Sequence, residues 1–158
     1  DQAAEIALMS EGNIALAQRL SAELEEPFFG LMVQWLRYVV TDSGRSFITY
    51  SETELAGLGR ENQKSFLRYT ISMMRAAVLE KSGVGVLQPL SGRAKDFVQK
   101  FSAAYSLSQM EEMIEQLEEA IFHIERNANA KLLFLDLSLR LVLLFKYNTF
   151  RQKADSII

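Results

Sequence analysis

The sequence predicts an all-α fold, about five packed helices preceded by a short helical stub. Two observations predict it. Apolar residues recur at spacings of three and four along nearly the whole chain, while strand-type alternation is almost absent. Only 2 prolines interrupt the 158 residues, and 49% of the chain is apolar, enough for a packed core.

Taken in order, Ala3 to Met9 reads as the end of one helix. Glu11-Gly12-Asn13 makes a turn, with Asn13 capping a helix over Ile14 to Leu24. Pro27 suits the first turn of the next helix, where its missing N–H leaves no bond unmade. That helix carries Phe28, Phe29, Met32, Trp35, Leu36 and Val39 on a broad apolar face, and Asp42-Ser43-Gly44 ends it. Ser51-Glu52-Thr53-Glu54 has the capping-box pattern and predicts a short helix that Gly57 and Gly59 terminate. A long helix follows from about Arg60 to Lys81, with Phe66, Leu67, Ile71, Met74 and Ala77 on one side. Ser82 to Pro89 reads as a loop, and a further helix covers roughly Gly92 to Ala104. Ser106-Leu107-Ser108 opens the next, whose Met110, Met113, Leu117, Ile121 and Ile124 form one stripe. Asn127 to Asn129 breaks it before the last helix, Lys131 to Tyr147.

Composition removes several classes of function. The chain has no cysteine, which excludes disulfides, thiolate metal sites and a cysteine nucleophile, and agrees with a cytoplasmic location. A net charge of −3 gives no global attraction to nucleic acid, although a local basic patch stays open. The longest apolar run, Leu132 to Phe145, contains Asp136 and Arg140 and falls short of the ~20 residues a membrane span needs. Asp1-Gln2-Ala3-Ala4-Glu5 reads as the middle of a helix, so the chain is expected to be part of a longer protein.

No catalytic, cofactor or metal residue is expected. Gly83-Val84-Gly85 lacks the third glycine, the lysine and the preceding strand of a phosphate-binding loop. His123, with Glu119 one turn before it, is the only histidine, and a di-iron bundle requires two Glu-x-x-His pairs. Glu111, Glu112, Glu115, Glu118 and Glu119 make an acidic helix face, read by default as solvated and otherwise as a strip for a basic partner. Arg60, Lys64, Arg68 and Arg75 lie at roughly 0°, 40°, 80° and 60° around their helix, a narrow basic stripe. It could serve phosphates or an acidic neighbour, with a solvated face as the default. In the last helix Asp136, Arg140 and Tyr147 share one line, and Asp136 and Arg140 can pair across a turn. Every other direction is apolar. The helix is therefore either the centre of its own bundle or covered on its outer side by a neighbouring subunit.

Several stretches, in order, resemble one family. LEEAIFHIERNANAKLLFLDLSLRL resembles the closing helices of bacterial DNA polymerase III delta-prime subunits, particularly Bacteroidetes-type versions. The E-x-N-x-N-x-K turn of that family falls on Glu125, Asn127, Asn129 and Lys131. MSEGNIALAQRL is similar to the end of an AAA+ lid, PFFGLMVQWLRYVV to a first collar helix, and GRENQKSFLRYTISMMR to the long helix after it. The resemblance spans most of residues 9 to 147. It implies that residues 1–25 end an AAA+ lid and that 26–158 form a clamp-loader collar, a structural module in a five-subunit ring that loads the sliding clamp. It further implies gamma/tau and delta subunits as partners, with primer–template DNA met only through the whole complex. The ATPase core would precede Asp1, so this part would neither bind nor hydrolyse ATP. Asn127, Asn129 and Lys131 would form a structural turn, and Asp136 and Arg140 a polar seam. An isolated collar would self-associate through patches otherwise covered in the ring. A gamma/tau collar domain is the nearest alternative reading, and a small-molecule-binding helical module, lined by the Met- and Phe-rich faces, is a further one.

Overall fold

Residues 27–41, 44–85, 90 and 92–147 are described by a computed structural model, and all their regular structure is helical. The order is α1 (27–41), α2 (Arg45–Tyr50), a π turn (Ser51–Leu55), a 3₁₀ turn (Ala56–Leu58), α3 (Arg60–Lys81), α4 (Gly92–Ala104), α5 (Leu107–Glu125) and α6 (Ala130–Phe145). The stub expected within residues 1–25 lies outside the described residues.

Six helices thus stand where about five were expected, and the extra one is α2. It begins directly after Gly44, whose φ of 60° is a left-handed conformation that costs glycine little. The expected capping box at Ser51 is corrected by this helix. Tyr50 before it is already helical, and the Ser51 hydroxyl turns back to the Phe47 carbonyl at 2.7 Å instead of accepting from a backbone N–H ahead. A capping box needs an extended N-cap residue, and Ser51 sits inside a continuing helical path. A real capping box occurs at the start of α5. There the Gln109 N–H donates to Ser106 Oγ, and Ser106 N–H donates to Gln109 Oε1. The Gln109 amide also donates to the Leu144 carbonyl at 3.0 Å, so one side chain starts α5 and ties it to the end of α6.

The longest described helix, α3, packs against both α4 and α5. Its Phe66, Leu67, Thr70, Ile71, Met74 and Ala77 are buried. From α1, Phe28 and Trp35 reach the Phe66 ring at centroid distances of 6.1 and 5.7 Å. An aromatic cluster closes one side of the bundle. Phe101 of α4 and Tyr105 just after it meet Phe145 of α6 at 5.5 and 4.7 Å, and Phe97 stands edge-on to Phe29 of α1 at 6.1 Å. Such tilted and edge-on pairs each add ~0.5–1.5 kcal/mol beyond area burial.

One buried polar node joins three separate elements. Trp35 Nε1 of α1 donates to Ser138 Oγ of α6 at 2.9 Å, and Ser138 Oγ lies 2.9 Å from Ser51 Oγ of the π turn. All three residues are fully buried. The two hydroxyl protons are shared among the other serine and the carbonyls of Phe47 and Phe134, each at 2.7 Å. A buried indole N–H left without an acceptor carries a desolvation penalty, so the node fixes how α6 is rotated against α1.

Two outcomes follow from these contacts. Ser138→Ala, which strands the Trp35 N–H, should destabilise the fold by ~1–3 kcal/mol, read as a lower urea midpoint in the fluorescence of the single tryptophan. The second concerns Tyr50, whose hydroxyl donates to the Leu31 carbonyl at 3.1 Å. Burial, then the nearby Glu54 and Tyr38, push its pKa from 10.0 up to about 12. The folded state therefore holds this proton more tightly than the unfolded chain does. That stabilisation is complete below pH 10 and is lost as pH rises through about 12. Tyr50→Phe should flatten the alkaline fall of the denaturation midpoint in that window, with Tyr105, also raised by burial, retaining the remainder.

Candidate functional site

The helices place the residues singled out in the sequence into three groups. The first is the turn between α5 and α6. Asn127 has φ of 62°, the left-handed conformation in which a helix is stopped. The Asn127 N–H donates to the Ile124 carbonyl and the Ala128 N–H to the His123 carbonyl, both at 3.1 Å, the pair of bonds that defines a Schellman stop. Two residues later Asn129 is extended, and its side-chain oxygen accepts from Leu132 N–H at 3.1 Å, capping α6. Lys131 is exposed in the first turn of α6. The chain therefore reverses within a few residues, and α5 and α6 lie antiparallel.

The second group is the basic stripe, which faces α5. Arg75 pairs with Glu118 at 2.8 Å and Arg68 with Glu125 at 3.8 Å. Arg60 reaches the side chain of Asn127 in the turn, and Lys64 pairs with Glu61 on its own helix at 3.0 Å, its side chain largely covered. Arg68 and Arg75 are two turns apart on α3, as Glu118 and Glu125 are on α5, so antiparallel packing brings both pairs into register. This common spacing was present in the sequence and was the available signal for an internal seam. The paired arginines and glutamates are about half exposed, so each bridge contributes at most ~1 kcal/mol and acts mainly on register.

The third group is the outer arc of α6. Phe134, Leu137, Ser138, Leu141, Val142, Leu144 and Phe145 point into the bundle. On the other side Leu132 is 66% exposed, Leu139 46% and Leu143 50%. Arg140 Nε and Asp136 Oδ2 pair at 2.9 Å among these leucines, and Tyr147 continues the line. On its inner side α6 packs against α5, α2 and the π and 3₁₀ turns, and its outward side carries exposed leucines around one ion pair.

Beside that arc, α5 and α6 enclose a shallow cleft of about 50 Å³, lined among others by Gln116, Glu119, His123, Asp136 and Arg140. A drug-sized ligand needs ~300–1,000 Å³, so this cleft does not provide the cavity that a small-molecule module would use. His123 and Glu119 approach to 3.7 Å on the exposed side of α5. No group of three or more metal-type ligands occurs among the described residues, and no described helix is long and apolar enough to cross a membrane. No family model, curated protein or solved structure matches the chain. The strongest chemical feature is accordingly the leucine-rich outer arc of α6, with the capped turn that sets where it starts.

The turn yields a direct test of its geometry. Asn127→Gly keeps the left-handed stop and should change stability by only a few tenths of a kcal/mol, whereas Asn127→Val should cost ~1–2 kcal/mol. Thermal melts of the two variants against the parent would separate these outcomes.

Proposed function

We propose that the chain is a collar-type oligomerisation domain of a bacterial clamp loader, of the delta-prime kind. In this reading it works in the cytoplasm, helping to assemble the subunit ring that places the sliding clamp on primed DNA. Its partners are the gamma/tau and delta subunits, and it meets primer–template DNA only as part of the whole complex. Its task is to hold neighbours in place, and no catalytic step is assigned to it.

The observation that carries this reading is the outer arc of α6. Leu132, Leu139 and Leu143 stand 46–66% exposed on a helix whose other side is buried in the bundle. Leucines repeated on one helix face stay in contact with water at a cost of ~25 cal/mol per Å² of apolar surface, which a partner's contact removes. An interface of this kind, with one ion pair among apolar side chains, has the anatomy of a protein–protein seam. The family resemblance at Glu125, Asn127, Asn129 and Lys131 supplies the identity of the neighbours and favours the delta-prime over the gamma/tau alternative.

Pull-down of the full-length parent with purified gamma/tau and delta subunits tests the proposal. Capture by at least one of them is expected, and Leu139→Glu combined with Leu143→Glu should weaken it by ~tenfold or more, since each substitution puts an unpaired carboxylate into a desolvated apolar seam. Failure of the unsubstituted parent to assemble with either subunit overturns the reading.

A further inference from the structure

We infer that the outer arc of α6 pairs with the same arc of a second copy of this chain, antiparallel across a twofold axis. The inference rests on the α6 face used in the reading above, but not on the identity of the heterologous partners.

Leu132, Asp136, Leu139 and Leu143 are separated by steps of four, three and four, the 3.5-residue repeat of a coiled-coil seam. All four are exposed on one side of α6. In an antiparallel pair centred between Asp136 and Leu139, Leu132 of one copy meets Leu143 of the other, and Asp136 meets Leu139. Arg140 flanks this layer and comes within reach of Asp136 of the second copy. The 2.9 Å pair within each helix then becomes half of a four-charge ring about the axis. A parallel pairing would instead set Asp136 against Asp136 and Arg140 against Arg140. Like charges facing each other destabilise a seam, so the charge pattern selects the antiparallel orientation and is complementary to itself.

The seam is short. Leu132 to Leu143 spans on the order of 16 Å, which places the contact at the small end of specific interfaces. A dissociation constant in the micromolar range, rather than a permanent dimer, is the consequence.

Sedimentation equilibrium of the 158-residue chain over roughly 1 µM to 1 mM covers that range. A monomer–dimer equilibrium is expected. Asp136→Arg and Arg140→Asp, each alone, should raise the dissociation constant by at least ~tenfold, because each sets like charges across the axis. Mixing the two variants in equal amounts should restore association, since each now complements the other. Both positions are solvent-exposed, and circular dichroism checks that the helices persist. A wild-type chain that stays monomeric throughout overturns the inference, and subunit capture in the pull-down above would then assign the arc to a different protein. A dimer unaffected by either reversal, or a mixture that fails to recover, equally overturns the antiparallel α6 pairing. Loss of subunit capture with the homodimer intact would instead remove the clamp-loader reading alone.

Discussion

The contact from Trp35 Nε1 to Ser138 Oγ, extended to Ser51, is the constraint on which the other features depend. It is buried, polar and directional, and it links α1, the π turn and α6 at one point. Most of the surface of α6 is apolar and only the Asp136–Arg140 line marks a side by its own chemistry, so apolar packing alone would set its rotation loosely. The hydroxyl at Ser138 removes this freedom. With Ser138 held inward, Leu137, Leu141 and Phe145 follow it into the bundle, and Leu132, Leu139 and Leu143 are carried to the outside. The polar node thereby fixes the rotation from inside the bundle, while the Asp136–Arg140 pair marks the opposite side as the one turned outward.

Register along the bundle has a different origin. The α3–α5 seam carries two ion pairs at the same two-turn spacing on both helices, and the contact of Arg60 with Asn127 extends it to the turn. None of these exposed pairs is strong, yet a slip of one turn would break both bridges at once. Gln109 performs the matching task at the far end, joining the first turn of α5 to the last turn of α6. The basic stripe and part of the acidic face, which looked like two docking surfaces, are in this way largely turned toward each other.

Most of the fold was legible because a 3.6-residue repeat is a local property. The stripes of α3 and α5 and the Asn127 to Asn129 break stand in the sequence at the positions where helices run and reverse. The places where legibility failed share one cause. Ser51 has the local pattern of a cap, but a hydroxyl can bind any acceptor within reach, and its partners lie across the bundle on Ser138 and one turn behind on Phe47. The arginine stripe was visible as a stripe, while its facing glutamates become relevant only once α3 and α5 are known to be antiparallel neighbours.

By itself, then, the sequence determined an all-helical chain without cysteine chemistry, with its helix stops and with an apolar last helix that needs cover on more than one side. Those properties depend on residues within a few turns of one another. Which helices pack together, which residues of α6 face outward and which charges neutralise each other were decided only by tertiary structure. The reason is that the single charged line of α6, Asp136 and Arg140, marks a side only loosely, and the contact that fixes the rotation comes from Trp35, a residue more than a hundred positions away. A helix that is apolar in nearly every direction can be recognised from its own residues, but the direction in which it is left open depends on what the remainder of the bundle covers.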